Sequence, residues 1–224
     1  MGENVKNIKN SEIRGALKGL YFIIDRTLSK KGVIEDVISA IKGGVRIVQY
    51  REKNLSDREM LSEAKKICQI CRKNGVLFIV DDRVDIALAC DADGVHIGKK
   101  DIDFLDARRI LGENKIIGVS VNSINEAKHF EMLGADYVSL GPIFKTTTKK
   151  DAGEPIGIDV IKEAKKVLRI PFTVIGGINL DNLKSVLDAG AESVCMISAI
   201  VGKDDVEKEV RKVKTFFELK KEGK

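Results

Sequence analysis

Short runs of β-branched and other apolar residues alternate along the chain with longer runs in which apolar residues recur every three or four positions. The short runs predict β-strands, and the longer runs predict amphipathic helices. Helical runs such as GVIEDVISAIKGG and NEAKHFEMLGAD also carry glycine near their ends, where helices commonly stop. The predicted strands are residues 19–25, 45–51, 76–82, 94–98, 115–121, 137–141, 171–177 and 193–198.

The order of these elements predicts the fold class. Eight strand–helix units follow a polar lead-in, so we expect an α/β fold with one (β/α)8 TIM-barrel domain, residues 19–224, behind a short N-terminal extension, residues 1–18. The units average about 26 residues, which requires short loops in such a barrel. A doubly wound open sheet is the alternative, but it would usually have fewer strands and a glycine-rich turn after the first strand. Here DRTLSKKG follows the first strand.

Composition excludes several classes of function. Hydrophobic residues make up 43% of the 224, which is enough to fill a core. The 39 Lys and Arg are spread among 34 Asp and Glu, and aromatic residues are only 5%, so we expect no nucleic-acid partner. No apolar run approaches the ~18 residues of a membrane span, and the N-terminus lacks the apolar core of a signal peptide. The sequence therefore predicts a cytoplasmic protein with no membrane partner.

The four cysteines fit that compartment, in which thiols stay reduced. Cys68 and Cys71 form CQIC inside SDREMLSEAKKICQICRKNG, a run with helical spacing, and no second pair completes a metal cage. We therefore expect a buried helix face at this motif and not a redox or zinc site.

Polar residues at the ends of strands are candidate functional residues, because barrel enzymes carry their active sites at the carboxyl face of the barrel. In VQYREK, Gln49, Arg51 and Lys53 share one side of strand two. An edge strand with one wet face would give the same pattern. In a parallel barrel, however, both faces of a strand are covered, so an inward Gln and Arg need partners, and a ligand would provide them.

Carboxylates end strand three and follow strand four. Asp81 and Asp82 close VLFIVDD, and Asp101 ends GKKD. Carboxylates from two adjacent strand ends can share one Mg²⁺ ion, which takes one or two carboxylates together with waters and phosphate oxygens. The alternative for Asp82 and Asp101 is helix capping, since each precedes a predicted helix.

Small residues end strands seven and eight, in IGGI and MISAI. Gly176, Gly177, Ile197 and Ser198 would let backbone N–H groups approach a phosphate, which barrels commonly bind in the loops after these strands. Close packing at a barrel corner is the alternative. The loop after strand six, GPIFKTTTKKDAG, brings threonines and lysines to the same mouth, although solvated loops often have this composition.

Together these residues predict two anion sites. The backbone cradle is nearly neutral, whereas Arg51, Lys53, Lys149 and a candidate metal form a charged cluster. Two anion sites imply two phosphorylated small-molecule substrates. In GVHIG, strand parity points His96 into the barrel, and we favour a structural histidine with satisfied hydrogen bonds over a catalytic base.

The chain resembles thiamine phosphate synthases from about residue 19 to the last helix. The motifs that carry the resemblance are VQYREK, the strand-three acidic pair, DGVHIGKKD, GVSV, LGPIFKTTTKK, VIGGI and CMISAI, in this order and each at a strand end. The resemblance implies Mg²⁺-assisted, dissociative substitution between two substrates. These are 4-amino-2-methyl-5-hydroxymethylpyrimidine diphosphate and 4-methyl-5-hydroxyethylthiazole phosphate, or its carboxylated form, and the products are thiamine phosphate and pyrophosphate.

The resemblance also implies roles for individual residues. Asp82 and Asp101 would bind Mg²⁺, and the catalytic residues would be Lys149, Lys53, Arg51 and Ser120. The pyrimidine diphosphate would contact Gln49, Tyr50, Arg51, Glu52, Lys53, Asp81, Ser120 and Lys149. The thiazole phosphate would contact Thr146, Thr147, Thr148, Gly177, Ile197 and Ser198.

Three positions depart from the usual pattern of the family: Asp81 stands for a common Asn, Lys99 for a common Gln and Lys145 for a common Pro. Asp81 would either tighten metal binding or repel the pyrophosphate. A thiazole tautomerase-like relative and a non-catalytic phosphate-ligand sensor are alternative functions, and the predicted metal and diphosphate ligands argue against the first. Assembly into a homo-oligomer is left open.

Overall fold

The computed structural model describes residues 11–148 and 152–222, and it contains a closed barrel of parallel strands in chain order, each followed by a helix. The strands are β1 Gly19–Asp25, β2 Ile47–Arg51, β3 Leu77–Asp81, β4 Gly94–Ile97, β5 Ile116–Val121, β6 Tyr137–Leu140, β7 Phe172–Val174 and β8 Ser193–Cys195. The helices are α1 (11–17), α2 Val33–Gly43, α3 Asp57–Lys73, α4 Val84–Ala89, α5 Phe104–Leu111, α6 Ile124–Leu133, α7 Asp159–Val167, α8 Leu180–Asp188 and α9 Val206–Glu222.

Pairing of the first and last strands closes the sheet. Strand β1 pairs in parallel with β2 and also with β8, where Tyr21 lies opposite Cys195. An open doubly wound sheet would leave these two edges unpaired. The predicted (β/α)8 barrel is therefore confirmed.

Strands β7 and β8 are shorter than predicted. The prediction ran through 177 and 198, but β7 ends at Val174 and β8 at Cys195. Gly176 and Gly177 have φ angles of 102° and 63°, which turn the chain out of the sheet directly after Ile175. The apolar run continues past the point at which the backbone stops pairing, so hydrophobicity alone overestimates both strands.

Strand parity divides the core into two layers. Outward residues such as Val48 and Phe78 pack against the surrounding helices. Inward residues such as Ile23, Ile79 and Ile116 fill the barrel itself. This alternation decides which strand residues can reach a site inside the barrel.

Helix α1, in the segment predicted as an extension, covers the end of the barrel at which the strands begin. Its residues Ile13 and Leu17 are 1% and 2% exposed. Both belong to the inner cluster together with Ile47, Ile116 and Tyr137, each of which is the first residue of its strand. The described part of the segment thus contributes to the core.

The CQIC motif lies on a buried helix face, as predicted. Cys68 and Cys71 are buried on α3, and burial raises the pKa of the Cys71 thiol to about 12. A thiol with so high a pKa is neutral and unreactive at physiological pH. Among the described residues, no helix combines the length and apolar character that crossing a bilayer requires.

We expect Leu17→Ala to destabilise the whole barrel because it empties part of the inner core. The loss in unfolding free energy should be about 2–4 kcal/mol, measured by urea denaturation. Glu12→Ala is the matched control: Glu12 is exposed on the same helix, and its replacement should change stability by less than about 0.5 kcal/mol. Equal stability of the two variants would show that α1 is not part of the cooperative core.

Candidate active site

The carboxyl ends of the strands surround a cavity of about 1110 Å³. Its wall brings together most of the predicted site residues: Gln49, Arg51, Lys53, Asp81, Asp82, Asp101, Ser120, Thr146, Thr147, Thr148, Gly177, Ile197 and Ser198. Tyr50 and Glu52 do not line it, and Lys149 lies outside the described residues.

Tyr50 faces away from the cavity. Gln49 and Arg51 point inward from β2, so Tyr50 between them points outward, where it is fully buried against the helices. Its hydroxyl donates a 2.7 Å hydrogen bond to Glu63 on α3. The Tyr50 side chain therefore does not reach the cavity, and a contact between residue 50 and the pyrimidine substrate stays a prediction.

Glu52 organises the loop that carries Lys53. One carboxylate oxygen accepts hydrogen bonds from the backbone N–H groups of Lys53 and Asn54, at 2.9 and 2.7 Å. The other oxygen pairs with Arg26 at 2.6 Å. Burial would raise the pKa of the Glu52 carboxyl, but the Asn54 hydrogen bond and the Arg26 guanidinium hold that pKa below its ordinary value. The Glu52 side chain therefore positions this loop and does not line the cavity, and a contact between residue 52 and the pyrimidine diphosphate stays a prediction.

Arg51 lies between two carboxylates. It forms an ion pair with Asp25, and its Nε lies 3.6 Å from Oδ2 of Asp81. The same Asp81 oxygen is 3.7 Å from Nζ of Lys53, which also pairs with Asp82. Positive and negative groups thus alternate along this wall of the cavity, so each cation is held in place by a neighbouring carboxylate.

Asp25 was missed in the sequence. It is 3% exposed, and its other oxygen accepts hydrogen bonds from the backbone N–H and the hydroxyl of Thr27, at 3.0 and 2.6 Å. Asp25 ends β1 with the inward parity that Asp81 has at the end of β3. The rule that singled out Asp81 would therefore have found Asp25 as well.

The carboxylates of Asp82 and Asp101 do not cap helices. Arg83 is the N-cap residue of α4 and makes no side-chain cap bond, whereas Asp103 caps α5 by accepting from the Leu105 N–H. Asp101 instead accepts a 2.6 Å hydrogen bond from the Gly98 N–H. Helix capping, the alternative explanation, therefore does not account for either residue.

The donor set suits a hard cation. Both carboxylates line the cavity, and the described residues contain no group of three or more metal-ligating side chains. Two carboxylates are too few for a structural zinc cage, which has four ligands. They fit Mg²⁺, which completes its coordination with waters and phosphate oxygens.

The glycines after β7 serve close packing. A β-carbon on Gly176 would lie 2.5 Å from Cα of Pro142, and one on Gly177 would lie 2.5 Å from the Lys145 carbonyl oxygen. Close packing at a barrel corner, the alternative explanation, therefore accounts for both glycines. It also brings the loop after β6 against the predicted cradle.

The same corner offers backbone donors to the cavity. The N–H groups of Gly177, Ile197 and Ser198 donate no hydrogen bond to any residue that the structure describes, and all three residues line the cavity. Backbone N–H groups without acceptors are suited to phosphate oxygens, which accept several hydrogen bonds.

The threonine loop lies at the rim of this cradle. Thr146 and Thr148 are half-buried, Thr147 is exposed, and the Thr148 N–H donates to Oγ1 of Thr146 at 3.3 Å. Lys99 lines the same cavity as these threonines and pairs with Glu126 at 2.6 Å. The described part of the loop is thus oriented towards the cavity and not only towards solvent.

A buried chain of hydrogen bonds leads from the barrel interior to the cavity. Oη of Tyr21 lies 2.7 Å from Oη of Tyr137, which lies 3.0 Å from Nδ1 of His96. Nε2 of His96 lies 2.9 Å from Oγ of Ser120. The inward direction of His96 is confirmed, and both of its ring nitrogens have partners, as expected for a structural histidine.

The strand pattern alone does not distinguish Tyr21 and Tyr137 from the other core residues. Burial raises the pKa of the Tyr21 and Tyr137 hydroxyls well above the ordinary value. Both hydroxyls therefore keep their protons across the physiological range and act as hydrogen-bond donors.

Comparison with known proteins connects this site to a family. The family model described as thiamine monophosphate synthase matches residues 20–200. The thiamine-phosphate synthase of Methanosarcina barkeri is 53% identical over 191 residues, which cover 85% of this chain and 86% of that protein. The thiamine-phosphate synthase of Methanosarcina mazei is 48% identical over 209 residues, which cover 93% and 86%.

Comparison with a solved structure supports the same family. The thiamine phosphate pyrophosphorylase from Pyrococcus furiosus superposes with a TM-score of 0.85 at 41% identity, covering 92% of this chain and 98% of that one. An N-acetylmannosamine-6-phosphate 2-epimerase from Clostridium perfringens, at 20% identity and a TM-score of 0.62, shares the fold alone. The family model and the sequence identities agree with the barrel, and the chain belongs to the thiamine monophosphate synthase family.

Proposed function

We propose that the cavity catalyses the thiamine-phosphate synthase reaction of its family with the pyrimidine diphosphate at the charged wall and the thiazole phosphate at the backbone cradle. The enzyme is a transferase, and its relatives are named for this activity. The observation that carries the proposal is the presence of two different anion-binding walls in one cavity. One wall has paired side-chain charges, and the other has backbone N–H groups that find no acceptor in residues 11–148 and 152–222.

Gln49 is suited to recognise the pyrimidine ring. It is 2% exposed, and its Nε2 has no hydrogen-bond partner among the described residues. A buried amide without a partner is costly, so a ring nitrogen of the substrate would restore a hydrogen bond that the protein does not supply. Arg51 and Lys53, further towards the mouth, would hold the diphosphate.

Asp82 and Asp101 would hold Mg²⁺ together with oxygens of the diphosphate. The ion would neutralise part of the charge on the diphosphate. Asp82 already pairs with Lys53, so the two groups keep each other ordered in the free protein. Asp81 adds a carboxylate beside Arg51 and Lys53, which limits the net positive charge of this wall.

The reaction would proceed by dissociation. The bond between the pyrimidine methylene carbon and the diphosphate oxygen breaks, and its electron pair leaves with the pyrophosphate. The thiazole nitrogen then donates its lone pair to the methylene cation and forms the new C–N bond. Arg51, Lys53 and Lys149 would stabilise the growing charge on the leaving group, and the barrel would hold the two fragments in contact. This chemistry requires no nucleophile from the protein.

The thiazole phosphate would occupy the other wall. Its phosphate oxygens would accept from the N–H groups of Gly177, Ile197 and Ser198, and the hydroxyls of Thr146, Thr147 and Thr148 would add donors from the loop. Because this cradle carries little charge, it binds a phosphate without attracting the Mg²⁺ that the other wall needs. The division would keep the substrates in their respective places.

The alternative functions have less support. A tautomerase-like relative would not need the carboxylates of Asp82 and Asp101, and a non-catalytic sensor would not need a metal. No compared protein described above carries either function in its name. We further propose that the enzyme works in the cytoplasm on free small molecules, without a nucleic-acid or membrane partner.

A direct assay tests the proposal. The full chain is incubated with both substrates and Mg²⁺, and thiamine phosphate and pyrophosphate are quantified. We expect one molecule of each product per substrate pair. Saturable binding of both substrates with no product would overturn the synthase proposal in favour of a sensor.

We expect turnover to require Mg²⁺, because the charge on the leaving pyrophosphate needs more neutralisation than the three cationic side chains Arg51, Lys53 and Lys149 give. Chelation should abolish the rate, and Mg²⁺ should restore it. Asp101→Asn keeps the hydrogen bond from Gly98 but should lower kcat/KM by on the order of 10²-fold with an unchanged unfolding midpoint. The control is Asp103→Asn, which keeps the cap of α5 and should retain full activity. Full activity of Asp101→Asn would refute its role as a metal ligand.

The two walls should respond differently to substitution. Lys149→Ala should depress kcat by on the order of 10²-fold, because the lysine would contact the leaving group. Thr148→Ala should instead raise KM for the thiazole phosphate with little change in kcat, because its contact is the same before and after bond breaking. Steady-state kinetics with each substrate varied in turn would distinguish them, and the opposite pattern would mean that the two roles are exchanged.

Glu52→Gln should weaken the diphosphate side alone. Loss of the Arg26 ion pair loosens the loop that carries Lys53, so KM for the pyrimidine diphosphate should rise about tenfold while KM for the thiazole phosphate stays constant. Asp57→Asn, which removes an exposed ion pair with Arg83, the N-cap residue of the next helix, is the control and should change neither constant. A rise in both KM values would mean that Glu52 supports the whole fold and not this loop.

The pKa of Glu52 also predicts a pH dependence of stability. Because the folded-state pKa of Glu52 lies below the ordinary value of a glutamate carboxyl, the stabilisation by Glu52 is present above that ordinary value and is lost as the pH falls through the folded pKa. The difference in unfolding free energy between wild type and Glu52→Gln should therefore be constant near neutrality and shrink in acid. A difference independent of pH would contradict an ionised Glu52.

A further inference from the structure

The buried chain of Tyr21, Tyr137 and His96 is not used by the proposed reaction, although it ends on Ser120 in the cavity wall. Tyr21 and Tyr137 are 1% and 0% exposed. Ile13 and Leu17 of α1 belong to the same buried cluster and close the lower end of the barrel. Tyr21 also borders the cavity, but so little of either side chain is exposed that both hydroxyls depend mainly on protein partners for their hydrogen bonds.

Each hydroxyl carries one proton, and this determines which group donates and which accepts in the series of hydrogen bonds from Tyr21 to Ser120. The Tyr21 hydroxyl has one hydrogen-bond partner among the described residues, Oη of Tyr137, so its proton is donated there. The Tyr137 oxygen then accepts from Tyr21, and its own proton is donated to Nδ1 of His96. An unprotonated Nδ1 places the ring proton of a neutral imidazole on Nε2, which donates to Oγ of Ser120.

The opposite direction leaves a proton without an acceptor. If Ser120 donated to Nε2, Nδ1–H would donate to Tyr137 and Tyr137 would donate to Tyr21. The Tyr21 proton would then have no acceptor among the described residues, because Tyr21 is only 1% exposed where it borders both the inner cluster and the cavity. A buried donor without an acceptor is disfavoured, so the structure selects the first direction.

We propose that Tyr137 and His96 are positioning residues that fix His96 as the neutral Nε2–H tautomer and so make the Ser120 hydroxyl a hydrogen-bond donor towards the ligand. Oγ of Ser120 accepts from the imidazole, and its proton is left for an acceptor in the cavity. The group recognised there is therefore an acceptor, such as a diphosphate oxygen or an unprotonated ring nitrogen. This deepens the proposed function, on which its kinetic consequences rest.

The tautomer can be measured directly in the unliganded full chain. Two-bond ¹H–¹⁵N spectra of the histidine side chains distinguish a protonated from an unprotonated ring nitrogen. The chain has two histidines, and His129→Gln, which removes the exposed one, assigns the signals of His96. We expect Nε2 protonated and Nδ1 unprotonated near neutral pH. A protonated Nδ1 would overturn the proposal, and the outcome does not depend on whether the synthase reaction occurs.

Two phenylalanine substitutions separate positioning from packing. Tyr137→Phe removes the donor to His96, whereas Tyr21→Phe removes an equally buried hydroxyl but leaves the Tyr137-to-His96 hydrogen bond in place. We expect Tyr137→Phe to lower kcat/KM for the pyrimidine diphosphate by about 5- to 10-fold, and at least three times more than Tyr21→Phe does. Equal losses in the two variants would show that the tyrosines act only through the stability of the core.

A double-mutant cycle tests whether Tyr137 acts through Ser120, which it does not touch. In a Ser120→Ala background, Tyr137→Phe should change kcat/KM by less than about twofold. If its full effect persists there, Tyr137 acts by another route and the proposal is wrong. Should the chain have no synthase activity, the same cycle is read from calorimetric binding of magnesium pyrophosphate, and independent effects of the two substitutions would again overturn it.

Discussion

Hydrogen bonding between β1 and β8 closes the sheet, with Gly19 opposite Ser193 and Tyr21 opposite Cys195. Because all strands are parallel, closure brings their carboxyl ends to one rim, and side-chain alternation sends every second residue inward. Residues as distant in the sequence as Arg51, Asp101 and Ser198 therefore share one cavity. The metal ligands, the diphosphate wall and the phosphate cradle all depend on this closure.

Closure of the barrel also buries cationic side chains, and nearby carboxylates in the site neutralise them. Inward cations such as Arg51 lose part of their hydration when the protein folds. An unpaired buried charge would therefore destabilise the folded state. Asp25 and Asp81 flank Arg51, and Asp82 pairs with Lys53. These pairs keep the cations ordered in the free protein. The price is reduced net attraction for a polyanion, which a divalent metal between Asp82 and Asp101 would restore.

Strand parity and strand ends were sufficient to predict the barrel, the inward direction of Gln49 and Arg51, and the shared location of the two candidate metal ligands. The family resemblance implies ligand contacts for Tyr50 and Glu52, whose side chains do not line the cavity. Parity turns Tyr50 outward, and Glu52 is recruited by backbone N–H groups of its own loop. The tyrosine–histidine chain and the covering role of α1 were not predictable, because apolar patterning does not reveal which hydroxyl meets which ring nitrogen across a barrel.

The central claim is that one cavity holds two phosphorylated fragments on chemically different walls. A crystal structure of the full chain with thiamine phosphate, pyrophosphate and Mg²⁺ tests it most directly. The account predicts the thiamine phosphate phosphorus at the N–H groups of Gly177, Ile197 and Ser198, and pyrophosphate with the metal between Arg51, Lys53, Asp82 and Asp101. Pyrophosphate at the backbone cradle, or a metal bound away from both Asp82 and Asp101, would contradict this claim.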